Sequence, residues 1–99
     1  MTIEKCLEGS RLDLALTGRL DTATSPDLES LLRESLEGVT ELNFDLAGLD
    51  YISSAGLRVL LMAQKAMNKQ GEMTVKNANE DLMEIFEVTG FTSVLNFGE

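Results

Sequence analysis

The sequence predicts an α/β fold in which a small, mixed and mostly parallel sheet carries an initial hairpin and crossover helices. Three observations lead there. Two strand-like segments near the N-terminus follow one another closely across Glu8-Gly9. Downstream, strand-like stretches alternate with apolar helical ones of roughly 10 to 15 residues, a pattern that implies right-handed crossovers and parallel strands. The 99 residues, 43% hydrophobic with one proline and no biased tract, suffice for one core and not for two, so a single domain over 1–99 is expected.

Ile3 to Leu7 predicts the first strand; Leu12, Leu14 and Leu16, alternating with Arg11, Asp13 and Ala15, predict a half-buried second. That strand is expected to run out at Thr17-Gly18 and residues 19–24 to form a loop. Ser25-Pro26 reads as an N-cap and first helical residue, since serine accepts a free N–H and proline lacks the donor that position leaves unused. Leu28, Leu31, Leu32 and Leu36 then share a face, Asp27 and Glu29 suit the positive end, and Gly38 ends the helix. Leu42, Phe44 and Leu46 alternate with Asn43 and Asp45, a strand covered on one side and wetter on the other.

From Ser54 to Lys69 runs the most apolar helix. Leu57, Leu60, Leu61 and Gln64 mark its stripe, and Val59, Met62, Ala63, Ala66 and Met67 widen the arc beyond what one sheet requires. That width fits either burial between neighbours or an adaptable docking surface edged by Met62 or Met67. Gln70-Gly71 closes the helix and Met73-Thr74-Val75 is a short strand. Asn79 caps a third helix with Glu80 and Asp81 in its first turn and Leu82, Ile85 and Phe86 inward. Gly90 is expected at C′, and Val94, Leu95 and Phe97 form a last apolar segment. The order is ββαβαβα plus a tail.

Seventeen acidic and eight basic residues leave a net charge of −9 without a Lys/Arg cluster. Nucleic acid and anionic membrane are therefore poor partners, and a basic protein surface is a better one. No stretch approaches the roughly 20 apolar residues of a membrane span, which together with the absence of a leader-like N-terminus predicts a cytoplasmic protein. The single cysteine, Cys6, cannot form an internal disulfide and reads as a strand or core residue. The chain has no histidine, which removes the usual general base, zinc ligand and Ser-His pairing together.

The informative junction is Leu49-Asp50-Tyr51-Ile52-Ser53-Ser54-Ala55-Gly56-Leu57-Arg58, where an extended segment becomes the apolar helix. N–H groups at a helix start lack internal partners and point outward with the positive end of the dipole, so a hydroxyl there sits where a phosphate is tolerated. This junction resembles the phosphoacceptor loop of the STAS family, named for sulfate transporters and anti-sigma factor antagonists. The resemblance extends to Gly18-Arg19-Leu20-Asp21, Leu42 to Leu46 and Val88-Thr89-Gly90-Phe91, and implies a STAS-type fold.

That resemblance implies a stand-alone anti-sigma factor antagonist acting by partner switching. The unphosphorylated antagonist binds an anti-sigma factor serine kinase, is released on serine phosphorylation, and is restored by a serine phosphatase. The acceptor is the serine two residues before the glycine, here Ser54. Many relatives have aspartate directly before it, where this chain has Ser53, so Ser53 is the competing acceptor; Ser54 as a mere helix cap is the other reading. Asp21, Thr22, Ser53, Gly56 and Arg58 are the expected partner-binding residues, Asp21 serving equally well as a turn or cap residue. No cofactor or metal is expected, and the free protein is expected to be a monomer. A serine-nucleophile enzyme lacks support, because no lysine lies within four residues of the pair and the glycine-flanked elbow is missing. Two alternatives stay open: a STAS regulatory module controlling a phosphatase, cyclase or other kinase, and a ligand-binding STAS module.

Overall fold

The computed structural model describes residues 1–98. Its elements are β1 (Thr2–Glu8), β2 (Arg11–Leu20), α1 (Ser25–Ser35), β3 (Glu41–Ile52), α2 (Ser54–Asn68), β4 (Glu72–Lys76), α3 (Glu80–Val88), a 3-10 turn over Phe91–Ser93, and β5 (Phe97–Gly98). The five strands lie side by side in chain order. β1 pairs antiparallel with β2 across a turn in which Gly9 takes φ +59°; the β2–β3, β3–β4 and β4–β5 pairs are parallel. The mixed, mostly parallel sheet with its opening hairpin is as expected, and the apolar tail supplies the short fifth strand.

Alternation along the strands decides which face is covered. Leu12, Leu14 and Leu16 of β2, Leu42, Phe44 and Leu46 of β3, and Met73 and Val75 of β4 are buried. They meet Leu28 and Leu32 of α1, Leu57, Leu60, Ala63 and Met67 of α2, and Leu82 and Phe86 of α3 in one cluster. Burial of side chains of this kind contributes roughly 1.5–3 kcal/mol each. The opposite face keeps its polar residues. There Asn43, 8% exposed, donates through Nδ2 to Asp13 (2.8 Å) and Glu41 (3.0 Å), and Arg11 pairs with Asp13 (3.2 Å). Cys6 lies in β1 and is exposed.

Four local expectations need correction. β2 does not end at Thr17-Gly18: two register irregularities, at Ala15/Thr17 and Gly18/Arg19, let the ladder resume with Arg19 opposite Tyr51 and Leu20 opposite Ile52. Gly18 reaches φ +100° there, which a side chain would resist. The N-cap of α1 is Thr24 rather than Ser25: the Thr24 carbonyl accepts the Asp27 N–H (3.1 Å), which places Ser25 inside the helix, and no side chain caps it. Met67 is wholly buried, so only Met62 can edge a surface on α2. Gly71 is absent from the left-handed region that a capping glycine would occupy; its backbone instead passes against Thr40, whose carbonyl a Cβ on Gly71 would overlap.

A side-chain clasp fixes the exit of β4. Asn77, at φ +62°, donates through Nδ2 to Asp45 Oδ1 (2.9 Å), which also accepts the Ala47 N–H (3.0 Å). These bonds, Asn77 first, with Lys76 nearby, hold the Asp45 carboxyl below its ordinary value of 3.8. A carboxyl lowered on folding stabilises above its unfolded pKa and loses that contribution as pH falls through its folded pKa. Asp45→Asn is therefore expected to cost no more than about 1 kcal/mol near pH 7, given solvent screening. The difference from the parent chain should shrink below pH 3.8 in urea melts; a gap that persists unchanged to pH 2 would assign it to packing instead.

Candidate functional site

The carboxyl ends of the parallel pair β2 and β3 bring the two expected loops together, the position at which open α/β sheets present their sites. The Ser53 N–H donates to the Leu20 carbonyl (2.9 Å), tying the start of α2 to the end of β2. Gly56 faces inward at this junction. A Cβ on it would lie 2.7 Å from Leu20 Cγ and 2.9 Å from Ile52 Cγ1, so its missing side chain lets α2 begin directly against the sheet.

The two serines have different surroundings. Ser53, in extended conformation (φ −97°, ψ 175°), is the N-cap, and its Oγ accepts the Gly56 N–H at 3.4 Å. Ser54 is the first helical residue and is exposed, with no hydrogen bond to its hydroxyl among the described residues. No acidic residue occupies the first turn of α2, so nothing there offsets the positive end of the helix dipole. An oxygen anion on Ser54 would stand in that field.

Across from it, Asp21 is a turn residue first. Its Oδ1 accepts the N–H groups of Ala23 (3.0 Å) and Thr24 (3.1 Å) and the Thr24 hydroxyl (3.2 Å), while its own N–H donates to Thr24 Oγ1 (2.9 Å). The Thr24 N–H does most to hold this carboxyl below its ordinary value, with the Ala23 N–H, the Thr24 hydroxyl and Arg19 adding. Asp21 is therefore a carboxylate at neutral pH with Oδ2 turned toward Arg19 Nε, 3.6 Å away. Arg19 in turn lies over the Tyr51 ring, its guanidinium carbon 4.3 Å from the centroid.

Thr22 and Arg58 line one cleft of 260 Å³ with Ser25, Pro26, Glu29, Ala55 and Val59, between the starts of α1 and α2. Ser25 is 3% exposed and its hydroxyl has no hydrogen-bond partner among the described residues. The expected residues thus share one end of the molecule: Ser53, Ser54 and Arg58 on α2 and its cap, Asp21 and Thr22 on the facing loop, Gly56 beneath them. Sequence reasoning missed the Arg19–Tyr51 stack and the α1 wall of the cleft. The stack depends on a register that follows two irregularities in the β2–β3 ladder, each with an extra residue on β3, which no sequence pattern announces. A larger hollow, 390 Å³, lies on the helix-free face among Glu4, Cys6, Asp13, Asn43, Asp45 and Lys76, away from the serines. Among the described residues no group of three potential ligands is placed to hold a metal, and no helix is long and apolar enough to cross a membrane.

Comparison with known proteins places this site in context. The family described as "Mlab, STAS domain" matches residues 4–96. BtrV of Bordetella bronchiseptica, named as an anti-sigma factor antagonist, is 38% identical over 81 residues, covering 80% of this chain and 70% of BtrV. A Thermotoga maritima protein also named as an anti-sigma factor antagonist superposes with a TM-score of 0.90 at 13% identity, over 98% of this chain and 86% of its own. The Bacillus cell fate determinant SpoIIAA in its phosphorylated form gives 0.78 at 14% identity, over 99% and 92%. At such identities the two structures speak for the fold.

Proposed function

The chain belongs to the STAS family, and on that premise we propose that it is an anti-sigma factor antagonist that works by partner switching at Ser54. Unphosphorylated, it binds an anti-sigma factor serine kinase through the surface around Ser54, Thr22, Arg58 and the Asp21 carboxylate with its Arg19 partner. The kinase transfers the γ-phosphoryl group of ATP to the Ser54 oxygen, releasing ADP and the antagonist. A serine phosphatase hydrolyses the phosphoserine to serine and inorganic phosphate, restoring the binding form.

The observation that carries this reading is the division of labour between the two hydroxyls. Ser53 caps α2, and Ser54 is left exposed at the helix start. A phosphate on Ser54 would be tolerated by the helix dipole and the unpaired N–H groups of the first turn, so the fold need not change. The same group adds close to two negative charges at the end of the molecule that also carries the Asp21 carboxylate, within the proposed contact surface. A large change in affinity with a small change in stability follows from that placement.

The test incubates the parent chain, Ser53→Ala and Ser54→Ala with ATP and each anti-sigma serine kinase of the source organism, followed by intact mass and peptide mapping. One phosphate, lost only in Ser54→Ala, is the expected result. Ser53→Ala should still be phosphorylated, while its melting temperature falls by roughly 4–8 °C because a lost cap costs about 1 kcal/mol. Phosphate that moves to Ser53 would overturn the site, and no phosphate with any such kinase would overturn the switch.

A further inference from the structure

In a chain of net charge −9, α2 is the one α-helix without an acid among the described residues: α1 carries Asp27, Glu29 and Glu34, and α3 carries Glu80, Asp81, Glu84 and Glu87. Along its outer side Arg58, Leu61, Met62, Lys65, Ala66 and, at the C-cap, Lys69 recur at the three- and four-residue spacing of one helical face. This stripe is not flat. A groove of 330 Å³ lies between α1 and α2 among Leu32, Leu36, Met62 and Ala66, with Arg33 at its rim, and a second hollow of 260 Å³ lies among Arg58, Leu61, Met62 and Lys65. Met62 lines both. Arg11, Arg19 and Arg33 are engaged by carboxylates, whereas Arg58, Lys65 and Lys69 form no ion pair among the described residues.

We propose that this stripe docks an acidic amphipathic helix of a partner protein, with aliphatic side chains against Leu61, Met62 and Ala66 and carboxylates meeting Arg58, Lys65 and Lys69. Helix-in-groove recognition uses this combination of spaced apolar anchors and charged flanks, and a methionine at its centre adapts to the side chain it receives. The net charge of the whole molecule favours basic partners, so a local patch of free cations beside an apolar groove selects for the opposite sign. A second copy of this chain is a poor occupant, because the apolar residues Leu82 and Phe86 of its acidic helix α3 are fully buried in its own core. An anionic bilayer would face Glu34 and Glu37, both exposed at the end of α1, and pay for their repulsion. This surface shares Arg58 with the one proposed around Ser54, one helical turn away, and continues from it along α2 through Met62, Lys65 and Lys69.

The experiment measures fluorescence anisotropy of a synthetic helical peptide bearing leucine at i, i+3, i+4 and i+7 and glutamate on both flanks, with amide shift mapping on the unphosphorylated chain. Saturable, salt-sensitive binding with shifts centred on Met62 is expected. Lys65→Glu should weaken it by about fivefold and Arg58→Glu with Lys65→Glu by about tenfold or more, while the doubly reversed variant gains affinity for a second peptide of the same leucine pattern in which lysine replaces glutamate on both flanks. Both positions are exposed, so thermal melts should stay near those of the parent. The proposal is overturned by any of four results: no saturable binding, equal affinity for both peptides, shifts mapping elsewhere, or sedimentation showing self-association through this face. Binding to vesicles of phosphatidylglycerol and phosphatidylcholine in place of the peptide would overturn it in favour of a lipid surface. No kinase enters the assay, so its failure and that of the Ser54 switch are read separately.

Discussion

Ser54→Glu is expected to weaken the complex with the anti-sigma factor serine kinase by at least about a hundredfold, because like charge brought into a tight interface costs several kcal/mol. Its melting temperature should stay within about 4 °C of the parent and move upward if at all, since an acid in the first turn of a helix gains roughly 0.3–1 kcal/mol. The two effects separate because Ser54 is exposed and structurally unengaged, while the capping bond to Gly56 is made by Ser53. Ser53→Glu makes the useful contrast. It removes that cap and places a longer side chain where the chain turns from β3 into α2, so stability falls before any interface is tested. Calorimetric titration of both variants against the kinase, beside thermal melts, distinguishes them. Binding of Ser54→Glu within threefold of the parent would sink the electrostatic switch at this residue.

Much of this site was legible because its chemistry is local. Asn79 caps α3 through its side chain, accepting the Leu82 N–H at 2.9 Å, Gly90 takes φ +80° just past that helix, and Ser53-Ser54 sit where β3 becomes α2. Each depends on a few adjacent residues whose donors and backbone freedom can be read in order. What escaped depends on distant chain. The continuation of β2 to Leu20, past two irregularities whose extra residues lie on β3, is visible only once β3 is alongside, and that register sets Arg19 over Tyr51. The helix α1 opens one residue early because the Asp21 turn already holds the chain at Ala23 and Thr24, so that the Asp27 N–H reaches the Thr24 carbonyl and Ser25 falls inside the first turn. The breadth of the α2 arc has a mixed origin: Val59, Ala63 and Met67 are buried, and Met62 stays at the surface between two grooves.

Gly71→Ala is expected to be the most destabilising single-methyl addition in the chain, by about 3 kcal/mol, the upper end for overpacking against rigid surroundings. Gly71 donates its N–H to the Met67 carbonyl (2.7 Å), and the next residue, Glu72, donates to the Thr40 carbonyl (2.9 Å) to open the β3–β4 ladder. The Cβ would fall on that same Thr40 carbonyl, with Thr40 Cα 2.8 Å away. Backbone on both sides is held by hydrogen bonds, so neither strand can move aside without breaking the first rung of β4. For a domain of this size the loss corresponds to a melting temperature lower by roughly 15 °C. Gly38→Ala isolates the alternative cause: Gly38 sits at φ +81° with open space around its Cβ position, so only left-handed strain of roughly 1–2 kcal/mol is paid. If Gly71→Ala melts no lower than Gly38→Ala, backbone approach at Thr40 is not what requires glycine there. If it melts far lower, the glycine that reads in sequence as a helix terminator is instead the point at which α2 hands the chain to the sheet.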